Sequence, residues 1–335
     1  MAYETGTSTG IVDLLDKFRL FAVAQGWTVN RWVTAGSGRE LCIAKGSAFF
    51  NFRAYVSETV IANGTSATGK TGLSLNGSDG YDAGLAWDRQ PGYPLRNEST
   101  NGNQGHAYMP LVISTGPFPS YHFFAPDDKT LYCELEFQIG SFLRFGCGSL
   151  DLLNPAAPGG GRFFYATGGN PGVTNSTSSY RWLGTHGDNA DYALELVPFR
   201  VADYSGTHSS QQLAGSYVRA AFGSFDNWAC SGRSAANVYT AMAAQGGGCH
   251  DKMLRTCGAS PLNGTALLLP NIVSLNIANQ YLSPIGVMPG LRYMDMTNFL
   301  PGDEFTFGPD TWKVFPWYTK GGNISGNRGI ALLKN

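Results

Sequence analysis

Apolar positions change their spacing once near the start of the chain and then keep a mainly strand-like rhythm. Ile11, Leu14, Leu15, Phe18, Phe21 and Val23 recur at helical intervals, which predicts an amphipathic helix over the first 26 residues. Thr9 is the expected cap, Asp13 places a negative charge in the first turn, and Gly26 supplies the stop. From Trp27 the period is two. Trp27-Thr-Val-Asn-Arg-Trp-Val33 and Glu40-Leu-Cys-Ile-Ala44 alternate on either side of Gly36-Ser-Gly38, a hairpin signature. The clearest strand is Leu131–Ile139. Leu131, Cys133, Leu135, Phe137 and Ile139 fall on one face, and Tyr132, Glu134, Glu136 and Gln138 on the other. That pattern predicts an antiparallel strand with one buried and one solvated face. Ser209–Ala221 and Ala235–Ala244 have helical composition, and strands return from Val287, punctuated by Pro289-Gly290, Pro301-Gly302 and Gly321-Gly322.

These elements predict a mainly β (α+β) protein. Its body is an antiparallel β-sandwich or jelly-roll-like fold, with an N-terminal amphipathic helix and minor helices around 209–244. Four segments are expected: a docking helix at 1–26, a β-sandwich body at 27–205, a mixed helix and loop insertion at 206–286, and strands completing the body at 287–335.

Composition narrows the function classes. Of 335 residues, 44 are glycine and 14% are charged, against typical values of ~7% and ~25%. The net charge is −1, with 23 Lys+Arg against 24 Asp+Glu. Such a balance argues against nucleic acid as the main partner. Aromatics at 13% supply a core and argue against disorder. No apolar run reaches the ~18 residues of a membrane span. Charges at Glu4, Asp13, Asp16, Lys17 and Arg19 do not fit a signal peptide. Cys42, Cys133, Cys147, Cys230, Cys249 and Cys257 are therefore expected to be reduced and mostly buried.

Several motifs invite chemistry, and each is outweighed. Gly64-Thr-Ser-Ala-Thr-Gly69-Lys70-Thr71 matches the phosphate-loop pattern. That site needs a following helix to hold the anion, and Gly72, Asn76, Gly77, Asp79 and Gly80 break helices. Glu134 and Glu136 could serve as a glycosidase pair, but same-face carboxylates on a strand read first as a solvated face. Cys249-His250 with Cys257 and Cys230 lacks paired C-x-x-C spacing for zinc. His186, Asp188 and Asp191 lack the ordered calcium-loop pattern. No G-x-S-x-G elbow accompanies the five histidines. No catalytic, cofactor or metal residue is assigned, and no enzyme activity is expected. The aromatics Trp87, Tyr93, Trp182 and Tyr192 lie near Gly/Asp/Asn-rich loops, where they could stack on sugar rings or anchor an interface.

Three blocks resemble tailed-bacteriophage virion structural proteins of the tail- and baseplate-associated group. The first is Met1-Ala-Tyr-Glu-Thr-Gly-Thr-Ser-Thr-Gly-Ile-Val-Asp-Leu-Leu-Asp-Lys-Phe-Arg-Leu-Phe21, with Gly26-Trp-Thr-Val29. The second is Tyr132–Leu150, containing Gly140-Ser-Phe-Leu-Arg-Phe-Gly146. The third runs from Leu291-Arg-Tyr-Met-Asp-Met to Phe305-Thr-Phe-Gly308, then Trp312-Lys-Val-Phe-Pro316 and Gly326-Asn-Arg-Gly-Ile-Ala331. Together they are spread over the full length of the chain. The resemblance implies a non-enzymatic virion component assembled in the host cytoplasm. Its partners would be copies of itself, as a homo-oligomer, and other tail or baseplate proteins. Ile11, Leu14, Leu15, Phe18 and Phe21 are then candidates for an assembly interface, if the helix docks on a neighbour rather than on its own β body. The competing expectations are a receptor- or glycan-binding β-sandwich module of the virion, with host-surface glycan as partner, and, more weakly, a glycan-cleaving enzyme.

Overall fold

The computed structural model describes residues 1–62, 65–94, 111–157, 159–166, 216–222, 225–230, 237–240, 267–277, 281–317, 319–321 and 327–335. Among them the chain is mainly β, with antiparallel sheets forming a sandwich-like body and one helix. That helix is not long and apolar enough to cross a membrane.

The opening departs from the expected docking segment in two ways. Residues Ala2–Ser8 form a strand, β1, paired antiparallel with β7 (Phe118–Ala125). Helix α1 follows at Ile11–Ala24. Its predicted interface residues Ile11, Leu14, Leu15, Phe18 and Phe21 are all buried within the chain's own core. Phe18 meets Phe52, Phe123 and Phe145 with ring centroids 5.4, 5.4 and 5.1 Å apart. The predicted stripe is buried except at Val23, and its partner is the β body, because two sheets converge there. Only Leu20 and Val23 face outward among the large apolar residues of α1. Thr9 is not the side-chain cap. Gly10 occupies the cap position, and Asp13 reaches back to accept the Thr9 amide at 2.9 Å and the Ser8 hydroxyl at 3.0 Å. Gly26, at φ +78°, ends the helix as expected.

One sheet has five strands in sequence order: β2 (Thr28–Ala35), β3 (Gly38–Lys45), β4 (Ala48–Ala62), β5 (Thr65–Ser78) and β6 (Leu111–Ile113). The phosphate-loop pattern falls largely within β5. Lys70 stands opposite Glu58 in the β4–β5 ladder, and Thr71 Oγ1 accepts the Ser57 amide at 3.0 Å. Strand β5 continues past Thr71 to Ser78, so the pattern lacks the helix N-terminus that an anion site needs.

The second sheet has fourteen strands. Its first half runs β1, β7, β8 (Leu131–Gln138), β9 (Ser141–Ser149), β11 (Arg162–Ala166), β12 (Ser216–Phe222) and β13 (Phe225–Cys230). Its second half runs β14 (Asn237–Thr240), β15 (Leu269–Ile277), β16 (Tyr281–Asp295), β19 (Arg328–Leu333), β18 (Asp310–Pro316) and β17 (Glu304–Phe307). The short β10 (Asp151–Leu152) pairs with β16. The sheet curls so that its halves face each other across a core. Phe124, Tyr132, Phe142, Phe163 and Tyr165 from one half pack with Tyr293, Phe315, Trp317 and Ile330 from the other. The opposite face of the first half packs on α1 and the five-stranded sheet.

This three-layer arrangement corrects several expectations. Strand β8 is covered on both faces: Tyr132 and Glu134 are as fully buried as Leu131 and Cys133. Ile139 is instead 90% exposed, because the strand ends at Gln138 and Ile139 lies in the turn before β9. Where minor helices were expected around 209–244, the described residues are strands β12, β13 and β14. Tyr217 stacks on Phe164 at 4.8 Å while the next residue, Val218, joins the opposite core. Two-sided packing of alternating side chains thus overrides the local preference of an Ala-rich stretch. The described strands of 206–286 sit inside the curled sheet rather than forming an insertion beside it.

Removing the Phe18 ring leaves a void between both sheets. Phe18→Ala is expected to cost about 3–5 kcal/mol, read from urea unfolding. Deleting residues 1–25 should leave no folded protein by circular dichroism.

Candidate functional site

Side chains that could do chemistry gather where the two ends of the curled sheet meet. Arg144 on β9 is wholly buried and spans the core. Its Nε donates to both carboxylate oxygens of Glu134, at 3.1 and 3.0 Å. Its Nη1 and Nη2 donate to the carbonyls of Trp317 and Pro316, at 2.8 and 2.7 Å. One guanidinium therefore ties β8 and β9 to the end of β18. Beside it, Ser141 and Thr319 share a hydroxyl hydrogen bond of 2.7 Å. Tyr3 of β1 lies under Lys313 and Lys334, with the ammoniums 5.7 and 5.1 Å from its ring centroid. Both lysines pair with Glu304.

A polar chain runs along the same face. Tyr3 Oη is 2.8 Å from His122 Nδ1, and His122 Nε2 is 3.3 Å from Ser120 Oγ. Ser120 donates to Glu136 at 2.7 Å, and Glu136 also accepts the Gly140 amide at 2.7 Å. Thr5 Oγ1, which donates to the Tyr121 carbonyl at 2.8 Å, also lies 3.0 Å from Nδ1. The Ser120 proton is directed to Glu136 rather than to the imidazole. Burial, then the nearby Lys313 ammonium, lower His122 to about 4, so the ring is neutral near pH 7.

Glu134 and Glu136 do not form a solvated carboxylate face. Glu134 is sealed in the core, and burial pushes it up to about 7 against the opposing pull of Arg144. Among the described residues no group of three or more His, Cys, Asp or Glu is placed to hold a metal. Cys42, Cys133 and Cys147 are buried free thiols. Burial raises Cys42 to about 12 and the other two well above the ordinary thiol range.

Of the predicted loop aromatics, Trp87 and Tyr93 are not free platforms. Trp87 is buried, and half-buried Tyr93 accepts a 2.9 Å hydrogen bond from Arg89, whose guanidinium lies over its ring. Trp182, Tyr192, His186, Asp188, Asp191, Cys249, His250 and Cys257 lie outside the described residues.

Trp87 and Tyr93 instead belong to a compact loop, 79–94, built on several anchors. At its base the Asp79 amide donates to the Pro91 carbonyl at 2.7 Å. Asp79 also pairs with Arg162 at 2.7 Å and Arg219 at 3.1 Å. Trp228 Nε1 holds the Gly92 carbonyl at 2.9 Å. At its centre Gln90 is wholly buried. Neither Arg144, His122 nor Gln90 stood out in the sequence. Arg144 inside the apolar run Phe142-Leu-Arg-Phe145 was the available signal, since an arginine there must find partners when the run is buried.

Comparisons with protein-family models and with curated proteins find no match.

Glu134 and His122 oppose each other in pH dependence. The carboxyl is raised from 4.5 to about 7, so its contribution to stability is fully present below 4.5 and is lost as pH rises through 7. The imidazole is lowered from 6.5 to about 4, so its contribution is fully present above 6.5 and is lost as pH falls through 4. Between pH 4.5 and 6.5 the two slopes have opposite sign. Thermal melts of Glu134→Gln should lose Tm on acidification across that window, and His122→Asn should gain it. Arg144→Met leaves Glu134 and two carbonyls unpaired and should cost about 3–5 kcal/mol by urea unfolding.

Proposed function

We infer that this chain is a structural subunit of a tailed-phage virion, placed in the tail baseplate or tail tip and acting through protein–protein assembly. The observation that carries this reading is a convergence. The three sequence blocks that resemble virion tail proteins are far apart in the chain, yet each contacts the other two, on one face or the other of the first half of the large sheet. Tyr3 from the first block lies against Lys313 from the third. Arg144 from the middle block holds the carbonyl of Pro316, also in the third. Phe18 from the first packs on Phe145 from the middle. The resembling residues are those that close the fold, which supports a shared architecture rather than scattered similarity.

The low charge of the chain also supports a surface covered by neighbours. The burial of Trp87 and the pairing of Tyr93 weigh against these two as sugar platforms, which favours assembly over glycan recognition.

The test is mass spectrometry and electron microscopy of gradient-purified particles from a lysate of the phage that encodes the chain. The subunit should be present at a fixed, symmetric stoichiometry, with density assignable to the tail end. Its absence from purified particles would sink the reading.

A further inference from the structure

Strand β17 ends the fourteen-stranded sheet. One edge of it pairs with β18, and among the described residues no strand pairs with the other. An edge strand offers unpaired amides and carbonyls to another chain, and proteins ordinarily blunt it with bulges or charges. Strand β2, the free edge of the smaller sheet, has both: its register shifts between Val29 and Arg31, and Arg31 is charged. Strand β17 pairs without a register shift. Its one charge, Glu304, is already held by Lys313 at 3.0 Å and Lys334 at 2.9 Å.

Side chains alternate along β17, so its two faces differ. Glu304 stands opposite Lys313, whose ammonium lies over Tyr3, and Thr306 shares that face. Phe305 and Phe307 share the other. Phe305 stands opposite Trp312 and meets Phe299 with ring centroids 5.4 Å apart, at the border of an apolar cluster that includes Met294, Met296 and Val314. Phe307 is 67% exposed, and Leu300, next to Phe299 in the chain, is 64% exposed. An apolar face with an open rim thus runs up to an unpaired sheet edge.

This edge is complementary to itself. Two β17 strands related by a two-fold axis perpendicular to the sheet run antiparallel, and that axis keeps each face on its own side. Phe305 and Phe307 of both copies then form one strip of four rings. The outward backbone groups of each strand find partners in the other. The two Glu304 carboxylates bring no unpaired charge to the seam, because each keeps its own two lysines. A stable interface buries ~1,200–2,000 Å² in total. Two four-residue strands are too small for that, so the loops that carry Leu300 must close over the strip.

We propose that β17 is a homodimerisation edge, which pairs antiparallel with β17 of a second copy of this chain and covers Phe307 and Leu300. The pairing needs only the chain itself, so it stands apart from the virion reading.

The test is sedimentation of the purified chain over a concentration series. Wild type should reach a dimer. Phe307→Asp should weaken that dimer about ten-fold or more, because it places a carboxylate in the apolar strip. Leu300→Asp should act in the same direction. Both variants should melt close to wild type, since both side chains are exposed in the single chain. Leu153→Asp, at a comparably exposed leucine after β10, should leave the dimer unchanged. Thr306→Cys should join two copies through a short bis-maleimide linker, and Thr34→Cys on the β2 edge should not. A wild-type chain that stays monomeric, or a dimer that Phe307→Asp and Leu300→Asp leave intact, overturns the proposal. Cross-linking through residue 34 instead of 306 moves the interface to β2 and overturns it too. None of these outcomes bears on whether the chain is found in purified particles.

Discussion

The guanidinium of Arg144 is the point on which the architecture turns. A fourteen-stranded sheet that curls back on itself must bring distant strands together without a continuous ladder of backbone hydrogen bonds between its described ends. Arg144 supplies the link, because its planar fork can serve a carboxylate and two carbonyls in different directions at once. Glu134 makes the burial of that cation tolerable. The pair is costly to desolvate, and its value lies less in net stability than in admitting only one way of closing the curl.

The aromatic core follows from that closure. Once the halves face each other, the first half of the sheet is covered on both sides, by its own second half and by α1 with the five-stranded sheet. Both faces of β8 and β9 therefore need large or fully partnered side chains. Phe18 reaches the layer on one side, while Tyr132, on the other, donates its hydroxyl to the Pro289 carbonyl at 2.8 Å. The polar chain from Tyr3 through His122 and Ser120 to Glu136 is the corresponding solution near the mouth of the curl, where side chains are only partly covered. Its hydrogen bonds link β1, β7 and β8.

Loop 79–94 applies the same physics at the surface. Its glycines and small residues would read as a mobile connection. Gln90 and Arg31 convert it into a fixed shape by satisfying its carbonyls from within.

Local pattern alone determined the helix at α1, the β2–β3 hairpin, the existence of β8 and the mainly β class, because periodicity and turn residues report on each element's own geometry. It also separated the phosphate-loop pattern from a phosphate site, since helix-breaking residues are a local property. Three things were not legible: that Ile11, Leu14, Leu15, Phe18 and Phe21 face the chain's own sheets, that Glu134 is buried, and that residues 216–222 form a strand. Each depends on what packs against the element from elsewhere. An apolar stripe looks the same whether it meets its own body or a neighbour. A carboxylate on alternate positions looks solvated until an arginine ten residues on and a strand nearly two hundred residues on enclose it. Only the curl of the large sheet decided these, because it turns a one-sided strand into a two-sided one.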